Sequence, residues 1–159
     1  MSQELTPKAS FIPYTKDAHM GLIESIMGGD LLKVDVDNAG ARVLWVNKDN
    51  TLKVLKALRD TSGLEYFFLS DLTAYDDAGT TDASSGRFVV VYQLYSPEHR
   101  SRIRVKTRLK DGENADSAVG LWAAANWAER EVFDMFGVKF NGHPDLRRIL
   151  MDVRWEGHP

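Results

Sequence analysis

Six side chains near the C-terminus are of the kinds that bind metals or move protons: Glu129, Glu131, Asp134, His143, Asp145 and His158. Converging carboxylates and imidazoles can make a hard-ligand metal site, and a histidine beside a carboxylate can relay a proton. Their spacing argues against both. On a helix, at about 100° per residue, Glu129 and Glu131 point about 160° apart. Neither histidine has a second one three or four residues away, the interval that sets two ligands on one helix face. Each stands between Gly and Pro, which suits a turn histidine whose ring hydrogen-bonds locally. His19 and His99 read as ordinary helix and loop residues. An autonomous carboxylate and histidine metal enzyme is the one catalytic reading these residues offer, and it lacks the spacing it needs.

Other chemistries lack their residues. The chain has no cysteine, which excludes disulfides, thiolate-zinc sites, cysteine-ligated iron–sulfur clusters and a cysteine nucleophile. Gly28-Gly29 and Gly137 have neither the spacing nor the strand-turn-helix setting of a phosphate-binding loop, and no serine-nucleophile signature occurs. Redox chemistry would belong to a partner. A net charge of −3 gives no overall attraction to nucleic acid.

One charged pattern stands out. Arg100, Arg102, Arg104, Lys106, Arg108 and Lys110 occupy alternate positions, with Ile103, Val105 and Leu109 among the positions between them. On a strand all six cations project to one side, about 6.6 Å apart. Such a row repels itself and needs something acidic opposite. The choices are cross-strand acids on a solvated face, an acidic partner protein, or nucleic acid. The last is disfavoured because no aromatic residue interleaves the cations along the strand.

The elements that must carry these residues can be read from periodicity. With 159 residues, 43% hydrophobic and 27% charged, the chain has the composition of one globular domain. Residues 1–14 read as an extended arm with Pro7 and Pro13. The stretch MSQELTPKASFIPY has neither a secretion-signal pattern nor an organellar one, and cytoplasmic residence in a bacterium is the expectation. The apolar run Phe88 to Tyr92 is far short of the ~20 residues that span a bilayer. A helix is expected from Thr15 to Gly28-Gly29. A hairpin follows, Leu32–Val36 and Arg42–Asn47, and then a helix over Asp49–Ser62 capped by Asp49 or Asn50. Strands are expected over Leu64–Tyr75, Arg87–Tyr95 and Arg100–Lys110, with a mobile polar loop, DDAGTTDASSG, between the first two. The order predicts an α+β single domain, with a mixed or antiparallel sheet and helices packed on it, plus an extended C-terminal tail. The boundaries read as arm 1–14, domain 15–137 and C-terminal interface segment 138–159.

The last forty-odd residues are the most informative. Asp116 or Ser117 as cap, an alanine-rich body and Gly137 as left-handed stop predict a helix over 117–136. Trp122, Ala125, Glu129, Val132, Phe133 and Phe136 fall on one face, with Trp127, Glu131 and Asp134 on another. Glu129 lies inside the apolar stripe and is expected to pair with an arginine of the same block. Asn141-Gly142 and His143-Pro144 are turn formers, and Pro144 suits the start of a short helical turn holding Arg147 and Arg148. Arg130, Arg147, Arg148 and Arg154 supply forked donors. Glu129, Glu131, Asp134, Asp145 and Asp152 supply acceptors, and Trp122, Trp127 and Trp155 apolar area. Assembly interfaces enrich this mixture.

The string EREVFDMFGVKFNGHPDLRRILMDVRWEGHP resembles the signature of the 30 kDa subunit of the proton-pumping NADH:quinone oxidoreductase, respiratory complex I. Glu129, Arg130, Glu131, Asp134, Phe136, Gly137, Phe140, Gly142, His143, Pro144, Asp145, Leu146, Arg147, Ile149, Leu150, Asp152 and Trp155 fall in that family's order and spacing. The specific likeness covers roughly residues 117–159. It implies a non-catalytic, cofactor-free subunit of the hydrophilic arm, with FMN, iron–sulfur clusters, NADH and quinone handled by other subunits. The implied partners are the quinone-cavity subunit and the subunit that holds the terminal iron–sulfur cluster. The implied location is peripheral, on the cytoplasmic side of the inner membrane. Related subunits occur in membrane-bound energy-converting hydrogenases, which is the alternative assembly. Family members usually continue past the second Gly-His-Pro with a basic, proline-containing segment, whereas this sequence stops at Pro159.

Overall fold

The computed structural model describes residues 18–79 and 85–159. The expected arm 1–14 and the middle of the expected loop lie outside them. The elements are α1 (Ala18–Met27), β1 (Leu31–Val36), β2 (Arg42–Val46), α2 (Thr51–Asp60), β3 (Phe68–Asp76), β4 (Phe88–Ser96), β5 (Ser101–Leu109), β6 (Ala115–Asp116), α3 (Ala125–Phe136) and β7 (Phe140–Asn141). Short 3-10 turns at Gly28–Asp30 and Lys48–Asn50 lead into β1 and α2.

Five strands form one sheet in the order β1-β2-β5-β4-β3. Its pairs are antiparallel except β2 with β5, which is parallel. The sheet is therefore mixed, and the topology explains why. After β2, α2 carries the chain to the far edge, and the meander β3-β4-β5 brings it back beside β2. Three alternating strands return it in its original direction.

Strand alternation builds the core. Ile103, Val105 and Leu109 of β5 and Phe88, Val90, Tyr92 and Leu94 of β4 join Leu44 and Val46 of β2 beneath Met20, Ile23 and Met27 of α1 and Val54, Leu55 and Leu58 of α2. β4 is an interior strand buried on both faces, which is why it reads as a continuous apolar run.

Several local expectations needed a partner to decide them. The Asn50 side chain does not cap α2: its Nδ2 donates to Asp30 Oδ1 at 2.7 Å, while the Asn47 side chain caps the preceding 3-10 turn. The third helix begins at Ala125, not Ser117, because residues 118–122 close a separate turn in which the amides of Leu121 and Trp122 donate to the Ala118 carbonyl. The chain after Pro144 forms no helical turn; there Arg130 takes the carbonyls of Arg147 and Arg148 at 3.0 Å each, groups a helix would have used internally. β7 pairs in parallel with β6, which ties Phe140 back to Ala115.

Candidate functional site

The last turn of α3 and the segment after Arg147 meet around one carboxylate. Asp134 is fully buried. Its Oδ2 accepts the backbone amides of Ile149, Leu150 and Met151 at 3.0, 2.8 and 2.8 Å, and its Oδ1 accepts Arg148 Nη1 at 2.7 Å. Three consecutive amides turned on one oxygen form an anion nest, here filled by the chain's own side chain. A carboxylate near a helix C-terminus meets an unfavourable dipole, so the donors must carry it. Burial pushes the Asp134 carboxyl up, but those amides and the guanidinium outweigh burial and hold it down at about 2.

Arg148 extends the clasp, its Nη2 donating to the Gly157 carbonyl at 2.5 Å. His158 closes it from the other side. Its Nδ1 lies 2.9 Å from the Asp134 carbonyl oxygen, and its ring packs edge-on against Phe133 at 5.7 Å. The ring sits where a side chain at residue 137 would be: a Cβ on Gly137, at φ +75°, would stand 2.8 Å from His158 Cδ2. Gly137 thus has two reasons to be glycine, the left-handed stop foreseen from sequence and this contact.

Glu129 departs from expectation. It is buried in the apolar stripe, yet the arginine goes to Asp134. Glu129 Oε2 accepts the Ser117 hydroxyl at 2.6 Å and Oε1 the Ala118 amide at 2.6 Å. Burial raises its pKa, against the lowering pull of Ser117, Ala118 and the nearby His143. The Tyr92 hydroxyl, buried in the same region, has no hydrogen-bond partner among the described residues, and burial drives its pKa far up. Ser117 and Tyr92 carried no sequence signal as members of this cluster, because a hydroxyl 12 residues before its carboxylate looks like a loop serine.

His143 accepts the Asp145 amide at Nδ1, 3.0 Å, which leaves Nε2 to donate to the Asn126 carbonyl at 2.9 Å. The ring therefore pins the Gly142 turn, at φ +77°, to the start of α3. Arg147 pairs locally with Asp145, and Arg154 with Asp152, both at 2.8 Å and both largely exposed. Trp127, Glu131, Pro144 and Trp155 also face solvent. The six metal-capable side chains are thus taken up by separate partners or left apart. Among the described residues no group of three or more converges in the manner of metal ligands.

The cationic row is shorter than six. Arg102, Arg104, Lys106 and Arg108 lie on β5, whereas Arg100 sits in the preceding turn at φ +48° and Lys110 falls past the strand. Acids meet two of them: Arg104 pairs with Asp37, and Arg108 with Asp77 at 2.7 Å. Aromatic rings from other strands of the sheet meet the others, with Lys106 over Trp45 and Tyr75 and Arg102 over Tyr95 at 4.7 Å. Val43, Val89 and Val91 are directly cross-strand from Arg104, Arg108 and Lys106 and are buried. The long cationic stems roof this second apolar layer.

The fold and these contacts define the class: an α+β body on one mixed sheet, with a C-terminal segment nested on its last helix. Residues 44–159 match the family model for the respiratory-chain NADH dehydrogenase 30 Kd subunit, and the chain belongs to that family. The match begins within β2 and so takes in most of the sheet, well beyond the terminal block that carried the resemblance. The C-subunit of the NADH-quinone oxidoreductase of Citrifermentans bemidjiense is 49% identical over 121 residues, which cover 76% of this chain and 71% of that protein. The C/D-subunit of Ectopseudomonas mendocina is 39% identical over 94% of this chain and 26% of its own length. Among solved structures, a trypsin-resistant fragment of Nqo5 superposes with a TM-score of 0.70 at 26% identity, covering 80% of this chain and 98% of the fragment. An archaeal membrane-bound sulfane sulfur reductase complex contains a chain with the same fold, TM-score 0.63 at 22% identity, covering 87% of this chain and 76% of that one. None of the described helices is long and apolar enough to cross a membrane.

Proposed function

We propose that this chain is a non-catalytic structural subunit of the hydrophilic arm of an NADH:quinone oxidoreductase, supporting electron transfer from NADH to quinone coupled to proton translocation. The observation that carries the reading is the match of residues 44–159 to the 30 Kd subunit family. Its mechanism is positional. The clasp around Asp134 keeps the segment after Pro144 in one shape, and a rigid shape is what a brace between neighbouring subunits requires. The organisation proposed is an arm over 1–14, a body over 15–137 and an interface segment over 138–159, with exposed Trp127, Glu131, Arg147 and Trp155 meeting neighbours. Those neighbours are the quinone-cavity subunit and the subunit with the terminal iron–sulfur cluster. FMN, clusters, NADH and quinone are handled on other chains, and the assembly is peripheral on the cytoplasmic side of the inner membrane.

Co-purification from native membranes, read by mass spectrometry, tests the reading. Wild-type chain is expected with the other subunits, and Arg147→Ala with fewer of them while the lone chain keeps its unfolding midpoint. Recovery of the wild type without companions, or turnover by the purified chain alone, would overturn the proposal.

A further inference from the structure

The outer edge of β3 has no strand partner among the described residues. Strand edges left open to solvent are usually protected by lysine, proline or a charged pair. The opposite edge strand β1 follows this rule with Lys33 and Asp35 paired at 2.9 Å. β3, FLSDLTAYD, contains no lysine, arginine or proline. Its register against β4 slips at Ser70 and then runs regularly from Asp71 to Asp76.

Beside this edge lies a groove of about 440 Å³ between β3, α3 and the clasped tail. Leu69, Leu72, Ala128 and Ile149 line it, and Trp127 and Leu150 stand on its banks, 71% and 61% exposed. Phe68, just before Leu69 on the strand, is 57% exposed. Solvent-facing apolar side chains gathered along an edge that has no strand partner among the described residues mark a surface built to be covered.

Charge selects the occupant. The groove contains Asp71 and Glu131 and no cation. Asp71 takes only a long hydrogen bond from the Gln93 amide, 3.4 Å, and Glu131 has no ion pair among the described residues. A second copy paired edge to edge would bring acids against acids, which is unfavourable.

We propose that this groove receives an extended segment of another chain, aliphatic and bearing lysine or arginine, laid along the free edge of β3 as an added strand. The inference rests on the reading of this chain as a subunit of a larger assembly and names the chemistry of one partner segment. Its aliphatic side chains enter the groove and its cation meets Asp71 and Glu131.

The test uses the intact assembly from membranes, with p-benzoylphenylalanine replacing Trp127. Irradiation is expected to give a cross-linked peptide from another subunit that is rich in aliphatic residues and contains lysine or arginine. The double variant Asp71→Lys/Glu131→Lys is expected to reduce incorporation roughly tenfold. Glu24→Lys, an exposed charge change on α1 and outside the interface segment, is expected to have no effect. Cross-links only within this chain, to a second copy of it or to an acidic segment overturn the proposal, as does a double variant that incorporates normally. If the double variant does not fold as a lone chain, the cross-linked peptide alone decides. Wild type that assembles normally but gives no cross-link sinks the groove and leaves the subunit reading standing, whereas wild type without companions sinks both.

Discussion

Asp134 and Arg148 meet at 2.7 Å with the carboxylate wholly buried and the arginine side chain 17% exposed. This one contact converts fourteen residues of chain into a closed loop, since the same carboxylate also holds the amides of residues 149 to 151. A buried acid with one arginine and three amides is fully satisfied, and removing it strands every donor at once.

Asp134→Ala is therefore expected to cost ~3 kcal/mol in urea unfolding of the purified chain. Cleavage by trypsin after Arg147 and Arg148 is expected to become much faster in the same variant, because the segment loses its anchor. Unchanged stability together with an unchanged cleavage rate would show that the tail is held by other contacts.

Acid should weaken the clasp in a defined window. The folded pKa of Asp134 is about 2, below its ordinary 3.8. A depressed carboxylate contributes fully above the unfolded value and loses its contribution as pH falls through the folded one. The stability gap between wild type and Asp134→Asn is thus expected to be constant above about pH 5 and to shrink by ~2 kcal/mol between about pH 4 and pH 2. A gap that widens on acidification contradicts the geometry.

Glu129 has the opposite sign. Its pKa is raised by burial, so its contribution is present below the unfolded value and is lost as pH rises through the folded one. Glu129→Gln needs no charge in the core and is expected to match or exceed wild-type stability at pH 8, its advantage growing with pH. Glu129→Ala leaves the Ala118 amide without an acceptor and is expected to lose roughly 2 kcal/mol or more. Denaturant midpoints of the two variants at pH 5 and pH 8 check both signs.

The Tyr92 hydroxyl is buried without a hydrogen-bond partner among the described residues. Tyr92→Phe keeps the ring and removes the unsatisfied oxygen, and a gain of about 1 kcal/mol is expected, a rise of about 2–4 °C in Tm. A calorimetric Tm below that of wild type would mean that this oxygen finds a stabilising contact in solution.

Much of the fold was legible in order of elements. α1, the β1-β2 hairpin, α2 and the strands β3 to β5 follow from periods of 3.6 and 2 in the side chains, and Gly137 from the left-handed stop it adopts. Those signals are local, and each element keeps most of its expected span. The cationic alternation on β5 was equally visible, but what lies against it was not. Asp37, Asp77, Trp45 and Tyr75 reach those cations from turns and strands far along the chain, and Tyr95 reaches Arg102 across the β4-β5 hairpin.

The candidate site divides in the same way. The density of arginines, acids and tryptophans after Ala125 marked the block, and the resemblance it carried led to the family the chain belongs to. The apolar stripe pointed to Glu129 as the acid that takes the arginine, and Arg148 goes to Asp134 instead, an acid of the same chemistry five positions on. By itself the sequence determined where helices and strands form, since backbone sterics and side-chain alternation act over a few residues. The tertiary structure alone decided the parallel β2-β5 pairing, the start of α3 at Ala125 and the choice of Asp134 for Arg148. Those outcomes depend on which surfaces pack together, and desolvation gives each buried polar group only the partners that packing brings within hydrogen-bond reach.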